Sequence, residues 1–521
     1  MWGNLMSVFR GSFKYLVAFF LVLIGLLCIS TLAQAATYYV AKSGNDSNPG
    51  TETKPWLTIQ KAADTMVAGD IVYVKEGNYS QKLIIRTFGT SFDNMVSYLA
   101  YPGDTPIIDG QIYFSEGASY NKFNGFKIIG NQSFANINME ASNADHNIIS
   151  NCVIEGDGNG GGGIGYSGIG NIFEGNNISK GGHGFHPGGG DVDGTIIKNN
   201  IIHDMIGHGV AAVGGKNEKV IGNIVYNCRK GTNVGGTGIF FGTQSPENVW
   251  VEGNIVYGNE IGEITVEGPN ATVINNTAVT MNPGVSKTYI LLGSNLTVKN
   301  NIGYRTGDGK QVVLLPKDAI TDYNCWFNPE EPKCISRYYD SMTLPQYQAY
   351  GQGAHSISQD PLFVNMANHD FHLQPDSPCI GAGENGVEMG AYGAGESLPV
   401  YDDPAEPDSA SENPPETESQ SDDGDGVHNR PNPFRAGKEE TLIEYDLEEP
   451  SNVIITIYDL LGQEVWQENY RSGGNGGKED NSVPWDGRNL SGKVVANGGY
   501  ICRIWVEKEK RHMLRKIAVA K

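Results

Sequence analysis

One short phrase recurs through residues 147–304: an apolar residue, two spacers, an asparagine, then an apolar pair. Its copies read IISNCVI, FEGNNIS, IKNNIIH, VIGNIVY, VEGNIVY, VINNTAV and VKNNIGY. The shared asparagines are Asn151, Asn176, Asn200, Asn223, Asn254, Asn276 and Asn301, spaced by 25, 24, 23, 31, 22 and 25 residues. A period in this range marks a solenoid. The abundant glycine and β-branched residues select β-coils over helical repeats. The expected fold class is therefore all-β: a right-handed parallel β-helix with strands stacked about 4.8 Å apart. One such coil cannot bury its own apolar face, whereas a stack can. The recurring amides are expected to form a ladder that satisfies polar groups buried at a bend. The long step from Asn223 to Asn254 implies an extra loop at about residues 229–236, and such insertions tend to gather on a binding face.

The chain divides into four parts. Residues 1–35 read as a signal peptide: Arg10 and Lys14 precede an apolar run, and Ala33-Gln34-Ala35 offers small residues for cleavage. The expectation is a secreted or cell-surface protein with no membrane span in its mature chain. Residues 36–395 form the β-helix domain. Residues 396–430 are acidic and rich in Pro and Ser, too poor in apolar groups to order themselves, and read as a linker. Within it Asp422, Asp423 and Asp425 fall short of a calcium loop. Residues 431–521 read as a small β-sandwich, with strands near 441–447, 453–459, 500–506 and 514–519. The net charge of −22 disfavours nucleic acid as a partner. Six cysteines lie beyond the signal peptide, too scattered for a zinc motif. Cys325 and Cys334 are near neighbours, open to reading as a disulfide or as two thiols.

After Tyr38 a strand, a turn-rich loop and a helical pattern follow. Leu57, Ile59, Ala62, Ala63 and Met66 sit at helical spacing. A helix here would cap the open end of the solenoid. The segments KPWLTIQKAAD, AGDIVYVKEGNY and AYPGDTPIIDG resemble the opening of secreted β-helix proteins. These include the pectate lyases of polysaccharide lyase family nine and the chondroitinase- and alginate-lyase-like proteins. A second resemblance, at Asp360-Pro361-Leu362-Phe363, Asp370-Phe371-His372-Leu373 and Ser377-Pro378-Cys379-Ile380-Gly381-Ala382-Gly383, is to the closing segment of bacterial surface β-helix proteins. The tail, with PNPF, IYDLLGQEVW and WDGRNLSGKVVANGGYICRI, is similar to the FlgD-like immunoglobulin-type domain and to C-terminal sorting domains. Those resemblances imply polysaccharide as partner and contact with the cell surface or secretion machinery; the chain is expected to be a monomer.

The chemistry-bearing stretch is residues 181–216. Two successive coils carry Gly-His-Gly: His183-Gly184 and His208-Gly209. The next coils offer Thr237-Gly238 and Glu263 in what reads as the same column, with glycines leaving room for a sugar. His183, His208, Lys216 and Glu263 are the candidate catalytic groups, with His186, Arg229 and Lys230 as candidate substrate-binding groups. Asp191, Asp193 and Asp204 are candidate calcium ligands, or turn-formers. A lyase on an acidic polysaccharide must neutralise the uronate carboxylate and supply a base for the neighbouring carbon acid. The family-nine resemblance implies a calcium site of clustered aspartates plus a lysine, and this chain does not reproduce that cluster residue by residue. A glycosidase would need two carboxylates about 5–10 Å apart. The expected function is β-elimination on a uronate-containing polysaccharide, with a hydrolase or epimerase, or a non-catalytic carbohydrate-binding protein, as alternatives.

Overall fold

The computed structural model describes residues 35–392 and 427–520, apart from 81, 131–134, 141, 142, 159, 213, 232–234, 243–245, 282–286, 308–310, 339, 432, 433, 448, 460–463, 474–480, 490–492, 496, 497, 507, 509 and 510. The expected signal peptide and nearly all of the expected linker lie outside the described residues. The chain separates into two compact units, Met1–Asp402 and Asp403–Lys521.

The first unit is a parallel β-solenoid with three sheets. Sheet I has twelve strands, from Thr37–Val40 to Ile320–Asp322; sheet II has eleven, from Asn78–Tyr79 to Cys325–Phe327; sheet III has twelve, from Leu83–Ile85 to Asp340–Met342. One coil shows the order: Ile172–Glu174 in sheet I, Asn177–Ser179 in sheet II, Phe185–Asp193 in sheet III. Short strands of β-branched residues suit this geometry, because each lies flat on an identical strand of the previous coil. In sheet III, Ile164, Phe185, Val210, Ile239, Ile264 and Tyr289 stand in register and are buried in the core. Each such side chain contributes about 1.5–3 kcal/mol relative to exposure.

The asparagine ladder runs along the bend between sheets I and II. The Oδ1 of Asn254 accepts from the backbone N–H and the Nδ2 of Asn223, at 2.9 and 3.0 Å, while its own Nδ2 donates to Asn276 Oδ1 at 2.9 Å and to the Val220 carbonyl at 2.8 Å. The same pattern joins Asn176, Asn200, Asn223, Asn254, Asn276 and Asn301 and extends to Asn324. Asn151 is a correction. It sits one position early, in the left-handed region at φ 51°, and the ladder position of its coil belongs to Cys152, whose N–H donates to Asn176 Oδ1 at 3.0 Å. A shorter ladder, Asn121–Asn147–Asn171, lies at the bend between sheets III and I.

The capping helix is shorter than the sequence pattern implies, spanning Ile59–Ala63 with Thr58 as its N-cap. It buries Ile59, Ala62 and Ala63, while Leu57, read as part of the apolar face, is exposed. Its Gln60 acts as a false strand. The side-chain amide donates to the Ile84 carbonyl at 3.0 Å and accepts the Ile84 N–H at 2.9 Å. The edge of the first sheet III strand is thereby closed. At the far end Asp340–Met342 folds back antiparallel on Ile335–Arg337. Residues 361–392 then cover the outer face of sheet II, where Phe363, Phe371, Cys379 and Met389 share one apolar cluster with Ile255, Tyr257, Val279, Ile302, Tyr304 and Cys325.

The second unit has a three-stranded and a five-stranded sheet around one core that includes Ile443, Trp485, Ile455, Cys502 and Met513. Its pairings are antiparallel except Phe434–Arg435 with Arg511–Ala520. The strands expected near 441–447, 453–459, 500–506 and 514–519 are present as Thr441–Tyr445, Val453–Asp459, Gly498–Val506 and Arg511–Ala520.

Candidate functional site

The bend between sheets II and III holds the candidate histidines, and strand parity decides what faces where. The residue just before each inward apolar residue of sheet III also points into the coil. In four successive coils it is glycine, at Gly163, Gly184, Gly209 and Gly238, and in the middle two the reason is steric. A Cβ on Gly184 would lie 2.5 Å from Ile202 Cγ2, and one on Gly209 would lie 2.3 Å from Val225 Cγ1. The preceding residues, His183 and His208, therefore belong to the other parity. Their rings stack at 5.5 Å and 18°, and His208 stacks in turn on Phe240 at 4.4 Å and 6°.

Hydrogen bonds fix the protonation of this pair. The His208 backbone N–H donates to His183 Nδ1 at 3.0 Å, and the Thr237 N–H donates to His208 Nδ1 at 3.3 Å. Each Nδ1 must then be a bare acceptor, so the proton of the neutral ring resides on Nε2. Burial, followed by the neighbouring His208 and His186, lowers His183 to about 3. Burial lowers His208 to about 4. Both rings are neutral Nε2–H donors at physiological pH and have no free lone pair for a proton.

His186 differs. It is the outward residue of the same coil and its side chain is 49% exposed. Its Nδ1 lies 3.9 Å from Glu140 Oε1. Glu140 reaches it by lying across two glycines: a Cβ on Gly165 would meet Glu140 Oε1 at 2.6 Å, and one on Gly188 would meet Glu140 Cβ at 2.8 Å. Glu140, His183 and His186 line an open cleft of about 210 Å³ together with Ala135, Gly160, Gly162, Ile164 and Gly165. Sequence reasoning missed Glu140. The signal was indirect: Asn138, Gly165 and His186 occupy one outward column, and the glycine at its centre marks a passage for a longer side chain.

The expected column of His183, His208 and Glu263 is split. In register Thr237 opposes Gly262 and Ile239 opposes Ile264, which sets Glu263 opposite Gly238, on the inward parity. Glu263 is 0% exposed. It accepts from Asn259 Nδ2 at 2.6 Å and from Thr280 Oγ1 at 3.2 Å, and burial pushes its carboxyl up to about 8. No polysaccharide can reach it there.

Lys216 stands opposite Asp193 in sheet III, at the end of the strand remote from the histidines. It is exposed, with Nζ 4.0 Å from Glu247 Oε2. Asp193, which accepts from Asn217 Nδ2 at 2.7 Å, shares that end with exposed Asp191. Asp204 lies at the other bend, after the sheet II strand Ile201–His203, bonded to His203 Nδ1 at 2.7 Å and to Asn227 Nδ2. A calcium ion needs several oxygens converging on one point. These aspartates are divided between two bends, and among the described residues no three His, Cys, Asp or Glu side chains gather as a metal site requires. The three do not fit a calcium cage. Arg229 pairs with Ile206, two residues before His208, and the Lys230 N–H donates to Glu260 Oε2 at 2.7 Å. Both side chains are exposed beside the histidine bend.

These coils have known counterparts. Residues 38–268 match the family model of the Pel9A-like right-handed β-helix region. Over these residues the chain is similar to the Pel9A-like right-handed β-helix region. Among solved structures, the pectate lyase Pel9A aligns at a TM-score of 0.51 and 16% identity, covering 70% of this chain and 97% of that one. A rhamnogalacturonan lyase aligns at a TM-score of 0.39 and 17% identity, covering 66% and 95%. An uncharacterized protein, YwoF, of Bacillus subtilis (strain 168) is 32% identical over 73 residues, 14% of this chain and 15% of that protein. The likeness to Pel9A is one of fold. Among the described residues no helix is long and apolar enough to cross a membrane.

Proposed function

We propose that this protein is a secreted polysaccharide lyase that cleaves a uronate-containing chain by β-elimination in the cleft of Glu140, His183 and His186. The observation that carries the reading is the division of labour among three histidines. His183 and His208 are held neutral with Nδ1 occupied, which suits them to donate Nε2–H bonds to a substrate carboxylate and to the enolate-like charge that develops on it. His186 is exposed beside Glu140. It takes the proton from the carbon next to that carboxylate, and Glu140 stabilises the resulting imidazolium. Arg229 and Lys230 add positive charge beside the same bend and favour an anionic chain. The Pel9A-like scaffold supports a polysaccharide as the substrate class. The second unit serves attachment or export, as its likeness to sorting domains suggests.

The test is to incubate the chain from residue 36 onward with pectate, alginate and chondroitin and to follow the ultraviolet absorbance of the unsaturated product. Elimination predicts that absorbance, and its loss in His186→Ala. New reducing ends without the absorbance would replace the reading with hydrolysis. Binding without either signal would replace it with a carbohydrate-binding role.

A further inference from the structure

We propose that removal of residues 1–35 leaves an α-ammonium group on Ala36 that pairs with the buried carboxylate of Asp70 and anchors the first strand of sheet I. The proposal rests on reading those residues as a leader and is independent of the chemistry in the cleft. Ala36 and Asp70 each stand just before a strand, Thr37–Val40 and Ile71–Val74, and these two strands pair in register. The Ala36 nitrogen donates to Asp70 Oδ1 at 2.8 Å. The Ala36 carbonyl accepts the Ile71 N–H at 2.9 Å, so the backbone beside that nitrogen is fixed.

Asp70 is placed to receive a cation. It is 4% exposed, and its Oδ2 accepts the Val67 N–H at 3.0 Å. Its own N–H donates to the Val67 carbonyl at 3.0 Å, and its carbonyl accepts the Ser97 N–H at 2.9 Å. A carboxylate buried without a counter-charge is costly. The cations of the opening coils are committed elsewhere: Lys75 to Glu52 at 3.4 Å and Arg86 to Asp64 at 3.8 Å. A terminal ammonium supplies the missing charge at the position the amide nitrogen already holds.

Hydrolysis by a signal peptidase creates the group. Water adds across the Ala35–Ala36 peptide bond, its hydroxyl going to the Ala35 carbonyl carbon and its remaining proton to the Ala36 nitrogen. The new carboxylic acid gives a proton to solvent, and the new amine takes one. Ala36 is half-buried with its nitrogen engaged, so the cut comes before the first strand docks. Ala35 is exposed, so a chain that keeps it holds a neutral amide at the same place. Comparing the two chains isolates the charge.

The full chain, secreted from a bacterial host, should begin at Ala36 by N-terminal sequencing; another first residue would overturn the proposal. In the folded mature chain the α-amino group, followed by the pH dependence of its acylation, should titrate about one pH unit above its ordinary value. It should return to that value in denaturant and in Asp70→Asn. Burial and then the charge of Asp70 raise the Tyr38 hydroxyl, so this neighbour stays neutral over the range. At pH 7 the mature chain should melt about 2 °C above one retaining Ala33-Gln34-Ala35. The raised α-amino value means that this gap is full below the unfolded value and closes as pH rises through the folded one. An ordinary α-amino value in the folded chain, or equal melting with and without the three residues, would refute the pair.

Discussion

The bend between sheets I and II and the bend between sheets II and III are built from the same coils and do opposite things. At the first, asparagine occupies the same position through seven coils, from Asn176 to Asn324, each amide bonded to the next. At the second, His183, His208, Thr237 and Gly262 succeed one another. Uniformity at one bend lets each coil rest on the last without an orphaned polar group. Once that bend holds the stack, the other is free to vary. There a change of parity by one residue separates the stacked histidines from a buried carboxyl. The comparison teaches that, in a solenoid, the place where the repeat breaks is the place to look for chemistry.

The largest effect should come from the varied bend. His186→Ala is expected to lower turnover by about 10²–10⁴-fold with the melting temperature unchanged, measured by steady-state assay and thermal unfolding. Equal loss of stability and activity would make His186 a structural residue. The uniform bend should respond in the reverse sense. Asn254→Ala orphans the buried N–H of Asn223 and the Val220 carbonyl, at about 1–3 kcal/mol for each group. The melting temperature should fall while activity persists below it.

The pH dependence of stability sharpens the comparison within the second bend. Burial raises Glu263 from 4.5 to about 8, so between those values the folded chain holds a proton that the unfolded chain has released. Stability from this group is full below about pH 4.5 and is lost as pH rises toward 8. His183 and His208 act in the opposite direction, lowered from 6.5 to about 3 and about 4. Their contribution is full above pH 6.5 and is lost as pH falls through those values. Glu263→Gln should therefore flatten only the decline in melting temperature between about pH 4.5 and 8, and an unchanged slope there would refute the assignment. The smallest effect is expected at Lys216→Ala, remote from the cleft, which should leave turnover unaltered.

The amide period made the architecture legible, because an asparagine buried once per turn has few other uses. Single-residue offsets were not legible. Asn151 and Cys152 are adjacent, and only the coordinates show that a thiol-bearing residue fills the ladder position while the asparagine takes the left-handed turn. Glu263 was read into the histidine column for the same reason: sequence spacing across an insertion does not fix parity. Glu140 was hidden differently. Its approach to His186 depends on Gly165 and Gly188 from two later coils, a three-way relation that no local pattern contains. The histidines stand in one column, as the sequence spacing implies. The sequence marks them as candidate bases, and only the structure shows that each Nδ1 already accepts a backbone N–H.

A stack of identical strands has no intrinsic length. Left uncovered, its top would accept another molecule as readily as another coil, and the product would be a fibre. Gln60 prevents this at the first sheet III strand, spending one side-chain amide to mimic a neighbour and thereby refuse one. Termination is thus written into this protein as explicitly as repetition. Replacing Gln60 with a residue unable to imitate a peptide group should turn a discrete particle into one that adds to itself end to end.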